Sequence, residues 1–173
     1  MAKGRGTVLA LPDGIEDGVV RLRRWSDRDV PVLAEAAADE YVATIERLAP
    51  PFEDWLAAQA GVSLAIESEG EAAGGVGLAA RHVPGMVEVG VWVVPRRRGE
   101  GLAGRALDLI CRWALGPDTG IARIEASVEP SNLASRRALE RVGFVREGLM
   151  RSYVAYGGER RDAFLYSLLA GDL

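Results

Sequence analysis

The residues best suited to chemistry fall in three places. The first is Pro95-Arg96-Arg97-Arg98-Gly99-Glu100-Gly101-Leu102-Ala103-Gly104, which joins the apolar run 87–94 to an amphipathic stretch, 99–115. Glycines let a backbone approach an anion closely, and the first amides of a helix are unpaired donors backed by the helix dipole. Strand, breaker, basic run, glycines and helix in that order predict a cradle for a diphosphate-type ligand, with three arginines adding charge beside it. The second is Glu88, the one charge on strand 87–94. A carboxylate there either is desolvated and serves as a general base, with its pKa raised, or reaches solvent or an arginine near the Pro84-Gly85 turn. The third is Asn132 and Ser135, at the start of a helix over 131–142. Ser135 shares a helical face with Ala138, Leu139 and Val142, where a hydroxyl either bonds back to a carbonyl one turn earlier or donates to a ligand.

Two ligand classes compete for the glycine loop. Gly99-x-Gly101-x-x-Gly104 matches the dinucleotide fingerprint, and Glu125 follows about 20 residues on. Against it, the four residues 95–98 separate strand from glycine where that turn is normally tight, and Glu125 falls mid-strand. A single strand–helix–strand unit, preceded by a meander, also lacks the repeats of a dinucleotide fold. No Gly-Lys-Ser/Thr follows, which excludes a P-loop.

The elements that position these residues follow from periodicity and breakers. A strand over 19–25 leads into a helix over 29–39 begun by Ser26-Asp27. Pro50-Pro51 precedes a short helix over 53–60. Strands over 62–67, 75–81 and 87–94 form a meander, Pro95 ending the last. Leu102, Ala106, Leu109, Ile110 and Trp113 mark the amphipathic helix, stopped by Gly116-Pro117. A strand over 121–128, the helix over 131–142 ended by Gly143, and strands over 144–153 and 163–169 about Gly157-Gly158 complete the chain. This order predicts one α/β (α+β) domain over 1–173, with a loose tail over 1–7 and a mixed sheet in which 87–94 and 121–128 run parallel. The ligand site belongs beyond the carboxyl ends of that pair.

Composition limits the function. The 173 residues are 49% hydrophobic and 27% charged, with a net charge of −4, which suits one well-cored domain and disfavours general nucleic-acid binding. One cysteine, Cys111, and one histidine, His82, exclude an internal disulfide and leave too few soft ligands for zinc. No run is long enough for a signal peptide or a membrane span, so a cytoplasmic protein is expected.

Arg96-x-x-Gly99-x-Gly101 resembles the Arg/Gln-x-x-Gly-x-Gly/Ala motif of the GNAT superfamily of acetyl-CoA-dependent N-acetyltransferases. Pro130-Ser131-Asn132-Leu133-Ala134-Ser135-Arg136-Arg137, Val142-Gly143-Phe144 and Glu147-Gly148 resemble its ribosomal-protein alanine acetyltransferase (RimJ/RimL-like) branch. The resemblance runs from about Val19 to Leu169 and implies the GNAT fold, a mixed sheet with a splayed parallel pair. It implies that amides of Arg98, Gly99, Glu100, Gly101, Leu102, Ala103 and Gly104 hold the CoA pyrophosphate. The backbone of Val93 and Val94 would pair with the pantetheine arm, and Asn132 and Ser135 would contact the cofactor near its thioester. Glu88 would be the base, and Ser135 or Tyr153 a donor to the leaving thiolate. Many members carry a tyrosine acid four residues before the Gly-Phe pair, where this chain has Leu139. Trp25, Tyr41, Phe52 and Trp55 lie on the elements that border the acceptor site in the family. For Trp25, Tyr41 and Trp55 that neighbourhood implies contact with the acceptor, with core packing as the other reading.

The function expected is acetyl transfer from acetyl-CoA, with no metal, to a primary amine, either a protein N-terminus or a small molecule. The alternatives are a NAD(P)-dependent oxidoreductase built on Gly99–Gly104 and a non-catalytic acetyl-CoA-binding module. A homodimer is compatible with the sequence.

Overall fold

A computed structural model describes residues 14–39, 61–156 and 159–173. The expected tail, the helix over 53–60, Tyr41, Phe52, Trp55 and the Gly157-Gly158 turn lie outside them. In chain order the elements are β1 (Ile15–Glu16), β2 (Arg21–Arg23), α1 (Val30–Ala38), β3 (Gly61–Ser68), β4 (Glu71–Ala80) and β5 (Met86–Val93). There follow α2 (Leu102–Ala114), β6 (Arg123–Val128), α3 (Leu133–Val142), β7 (Val145–Tyr156) and β8 (Glu159–Leu168). They build one mixed sheet in the order β1-β2-β3-β4-β5-β6-β8-β7. β5 and β6 are parallel, and every other neighbouring pair is antiparallel. The meander and the parallel pair agree with the periodicity. β1 is additional, and the last hairpin is longer than its apolar residues suggest because its outer halves are polar and solvated.

Each sheet face has its own apolar layer. Val87, Val89 and Val93 of β5, with Ile124, Ala126 and Val128 of β6, pack on Leu102, Ala106, Leu107, Ile110 and Ala114 of α2 and Leu139 and Val142 of α3. Cys111 is fully buried there, and burial pushes its thiol up to about 12. Gly143 ends α3 at φ 110°, and the Phe144 amide closes back on the Leu139 carbonyl at 3.1 Å. The opposite face carries α1. There Val32, Ala65, Ala72 and Val94 pack with Trp25 and Trp92, whose rings stack at 5.9 Å. Gly75 lacks a side chain for this reason, since a Cβ would stand 2.8 Å from the Trp92 indole and 3.0 Å from Trp25. No helix of the described residues is long and apolar enough to cross a membrane.

α1 is fastened to the sheet by a buried charge. The Asp29 carboxylate accepts two hydrogen bonds from Arg23 of β2, at 2.7 and 2.8 Å, and one from the Ser26 amide at 2.9 Å. Arg23 also pairs with Glu67 of β3. The Arg23 bonds hold the Asp29 carboxyl down from the usual 3.8 to about 2. A carboxylate whose pKa is lower folded than unfolded stabilises the fold above its unfolded pKa, and that stability fades as pH falls toward the folded value. We expect about 2 kcal/mol from this group, present at neutral pH and lost between roughly pH 4 and pH 2. Denaturant unfolding of Asp29→Asn should show lower stability at pH 7 and a flatter fall across that window than the parent protein.

Candidate active site

The site follows from where the parallel ladder stops. β5 and β6 pair only through Met86–Arg123, Val87–Ile124 and Glu88–Glu125. On its other side β5 is held by β4 from Ala80–Val87 to Gly74–Val93. The Arg81 amide donates to the Met86 carbonyl at 3.0 Å, and the Val94 amide to the Ala73 carbonyl at 2.9 Å. Antiparallel pairing alternates between these points, so the main-chain groups of Glu88, Gly90 and Trp92 face β4. Those of Val91 and Val93 face away from β4, beyond the last β6 partner. The result is a split whose β5 wall is an unpaired strand edge, a ready template for an extended ligand.

This register corrects one expectation. Both main-chain groups of Val94 are engaged, its amide with Ala73 and its carbonyl with the Arg97 amide at 3.0 Å. Val91 and Val93 are the residues that face the split. The Val93 carbonyl already accepts a bond from Arg98 Nε at 3.1 Å.

The glycine loop lies at the end of the split. Pro95–Arg97 form a short 3-10 turn, and Gly99 and Gly101 take φ of 84° and 79°, a region that strains any other residue. Gly101 is the N-cap of α2 and supplies no capping side chain, so the amides of Leu102, Ala103 and Gly104 open the helix without a side-chain acceptor. A Cβ at Gly99, Gly101 or Gly104 would meet nothing within 4 Å. Helix-opening amides with open space before them fit a diphosphate. The basic run contributes less free charge than expected. Arg96 pairs with Glu35, Arg97 with Glu69 and Glu100, and Arg98 with Asp39. The field at the cradle therefore rests mainly on amides and the α2 dipole.

Beyond the cradle, Glu88 is not the isolated carboxylate that an apolar strand suggests. Its side chain is 30% exposed, and Oε2 lies 3.2 Å from Arg81 Nη1. The arginine partner left open by the sequence is what the fold supplies. The same guanidinium donates to Tyr153 Oη at 2.9 Å. Glu125 is buried beside Glu88, bonded by Arg123 Nε at 2.9 Å. Arg123 also holds Glu147, whose carboxyl it keeps low, at about 2, with the Ser167 hydroxyl donating at 2.7 Å. Glu125 is thus part of this cluster, and the sheet has one parallel pair, so the dinucleotide reading loses both its acidic residue and its crevice. Asn132 caps α3, its Oδ1 accepting from the Ser135 amide at 3.1 Å, which places the half-buried Ser135 in the first turn. Trp25 stacks on Trp92 and donates its indole N–H to Ser63 at 3.0 Å.

Sequence reasoning missed Arg81 and Ser127. Arg81 follows a strand end and carries no local signal. Ser127 lies two residues past Glu125, on the same face, and its Oγ is buried without a partner.

The model for an acetyltransferase (GNAT) domain matches residues 20–145. The chain belongs to this family. RimJ of Mycobacterium smegmatis, solved in complex with CoA-disulfide, is 26% identical with a TM-score of 0.74 over 89% of this chain and 83% of that one. RimL, a ribosomal alpha-N-protein acetyltransferase solved with coenzyme A, has a TM-score of 0.75 over 90% and 97%; at 19% identity it shares the fold alone. The uncharacterized N-acetyltransferase p20 of Bacillus licheniformis is 33% identical over 85 residues, 49% of this chain and 47% of that protein. The chain spans about half the length of the curated relatives it matches.

For this GNAT domain the cradle makes a simple prediction. Gly104→Ala should leave folding intact or raise stability by up to about 1 kcal/mol, as a helical glycine is replaced in open space. Gly104→Val fills that open space and should abolish the rise in melting temperature given by coenzyme A. Retention of that rise in Gly104→Val would place the cofactor elsewhere.

Proposed function

We propose that this protein transfers an acetyl group from acetyl-CoA directly to a primary amine, either a protein N-terminus or a small amine. The observation that carries the reading is the arrangement of an amide cradle at Gly99–Gly104, a strand edge at Val91 and Val93 without a strand partner, and a carboxylate, Glu88, where the split closes. Acetyl-CoA supplies the activated acyl group. The Arg98 amide is spent on the Pro95 carbonyl at 3.2 Å, so the amides of Gly99 to Gly104 bind its diphosphate. Val91 and Val93 take the extended arm by main-chain bonds, and Asn132 and Ser135 at the start of α3 lie toward its thioester end.

The remaining chemistry is proton management. The acceptor ammonium must lose a proton before its nitrogen bonds the acyl carbon, and the departing thiolate must gain one. Glu88 receives the first proton, and Ser135 or Tyr153 donates the second. The resemblance of Pro130–Arg137 to the ribosomal-protein branch favours a protein N-terminus as acceptor, while fold alone leaves small amines open. Trp25, Tyr41 and Trp55 are proposed to border the acceptor. The protein is proposed to work in the cytoplasm.

Glu88→Gln should lower turnover roughly a hundredfold and remove the acidic limb of the pH–rate profile. Thiol release with a panel of peptides and amines reads this directly, and the buried Cys111 thiol does not contribute to the signal. Unchanged turnover in Glu88→Gln would remove it from the reaction. Full activity in Ser135→Ala would leave Tyr153 as donor. Stabilisation by NAD(H) in place of acetyl-CoA, or acetyl-CoA binding without amine-dependent thiol release, would overturn the transferase reading.

A further inference from the structure

The polar groups beyond the cradle meet at one side chain. Arg81, just past β4, puts Nη1 3.2 Å from Glu88 Oε2, Nε 3.7 Å from Glu125 Oε2, and donates from Nη2 to Tyr153 Oη at 2.9 Å. One guanidinium therefore joins polar groups of β5, β6 and β7. Tyr153 reaches it from a distorted strand. The β7–β8 register shifts between Met150 and Val154, and Ser152 takes φ 55°, a costly conformation for a residue other than glycine. Asp162 holds that distortion by accepting the Ser152 amide at 2.8 Å, and Arg160 donates to the Ser152 carbonyl at 3.1 Å.

Glu88 and Glu125 are register partners in the parallel ladder, with side chains on one face. A guanidinium that reaches both carboxylates fixes the direction in which each points. Among the described residues the charged and titratable groups around Glu88 are Arg81 just past β4, Glu125 from β6 with Arg123 behind it, and Tyr153 from β7. Arg123 is committed to Glu125 and Glu147. Arg81 is the cation in contact with Glu88.

We infer that Arg81 is a positioning residue for acetyl transfer: it orients the Glu88 carboxylate beside Glu125 and holds the Tyr153 hydroxyl on the same side of the sheet. The Tyr153 oxygen accepts from the guanidinium, which leaves its own proton to donate. The inference rests on the reading of Glu88 as base.

The test compares Arg81→Met, Arg81→Lys, Glu88→Gln and the double variant Arg81→Met/Glu88→Gln, measuring kcat and the amine KM together with melting temperature. Arg81→Met should lower kcat about tenfold with KM within about threefold of the parent protein, and Arg81→Lys should return most of that loss. The double variant should lose less than the product of the two single losses, because Arg81 acts through Glu88. Parent-like kcat in Arg81→Met, a loss that multiplies fully with that of Glu88→Gln, or a loss that Arg81→Lys fails to rescue overturns the inference. If Arg81→Met does not fold, Arg81→Lys with and without Glu88→Gln decides by the same coupling. If Glu88→Gln leaves turnover unchanged, the assignment of the base itself falls. If Glu88→Gln is impaired while Arg81→Met keeps the parent turnover, only the role of Arg81 falls.

Discussion

Everything the site can do depends on a parallel ladder that ends after three residue pairs. β5 is secured along its length by β4, and β6 is secured from Ile124 to Val128 by β8, so the two inner strands can separate without loosening the sheet. Separation leaves the main chain of Val91 and Val93 on an edge without a strand partner. Among the described residues only the Val93 carbonyl has a bond there, from Arg98, and unpaired backbone groups away from water are costly. An extended ligand that supplies the missing bonds relieves that cost. α2 begins where β5 ends, so the amides at its start sit at the mouth of the same split.

Charge is arranged by pairing rather than by accumulation. The arginines of the glycine loop are each matched by a carboxylate from elsewhere in the chain: Glu35, Glu69 and Asp39, with Glu100 from the loop itself. That pairing fixes the loop while leaving its amides as the donors. On the far side of the sheet the groups alternate in sign, from Glu88 through Arg81, Glu125 and Arg123 to Glu147. The chain places its one strand-borne base candidate in a network, where its orientation is tied to its neighbours.

Much of this was legible in the residue pattern. The alternation in 87–94, the heptad-like spacing of Leu102, Ala106 and Ile110, and the terminating Pro95 and Gly143 are local signals, and the elements form where they point. The glycine loop was legible for the same reason, since φ near 80° at Gly99 and Gly101 is a local demand. Glu88 was legible as an exception on an apolar strand, but its environment was not. Its partner Arg81 lies across a hairpin, and Tyr153 lies 72 residues from Arg81, brought in by a bulge with no clear sequence mark.

The sequence by itself determined the order of elements, the anion-binding loop and the family to which they point, because each rests on contacts within a few residues or on backbone conformations that particular residue types require. Tertiary structure alone decided that Val91 and Val93, rather than Val94, face the split, that the loop arginines are neutralised, and that Glu88, Glu125 and Tyr153 share one guanidinium. Register and ion pairing between distant strands depend on how the whole sheet is assembled, and no local spacing encodes them.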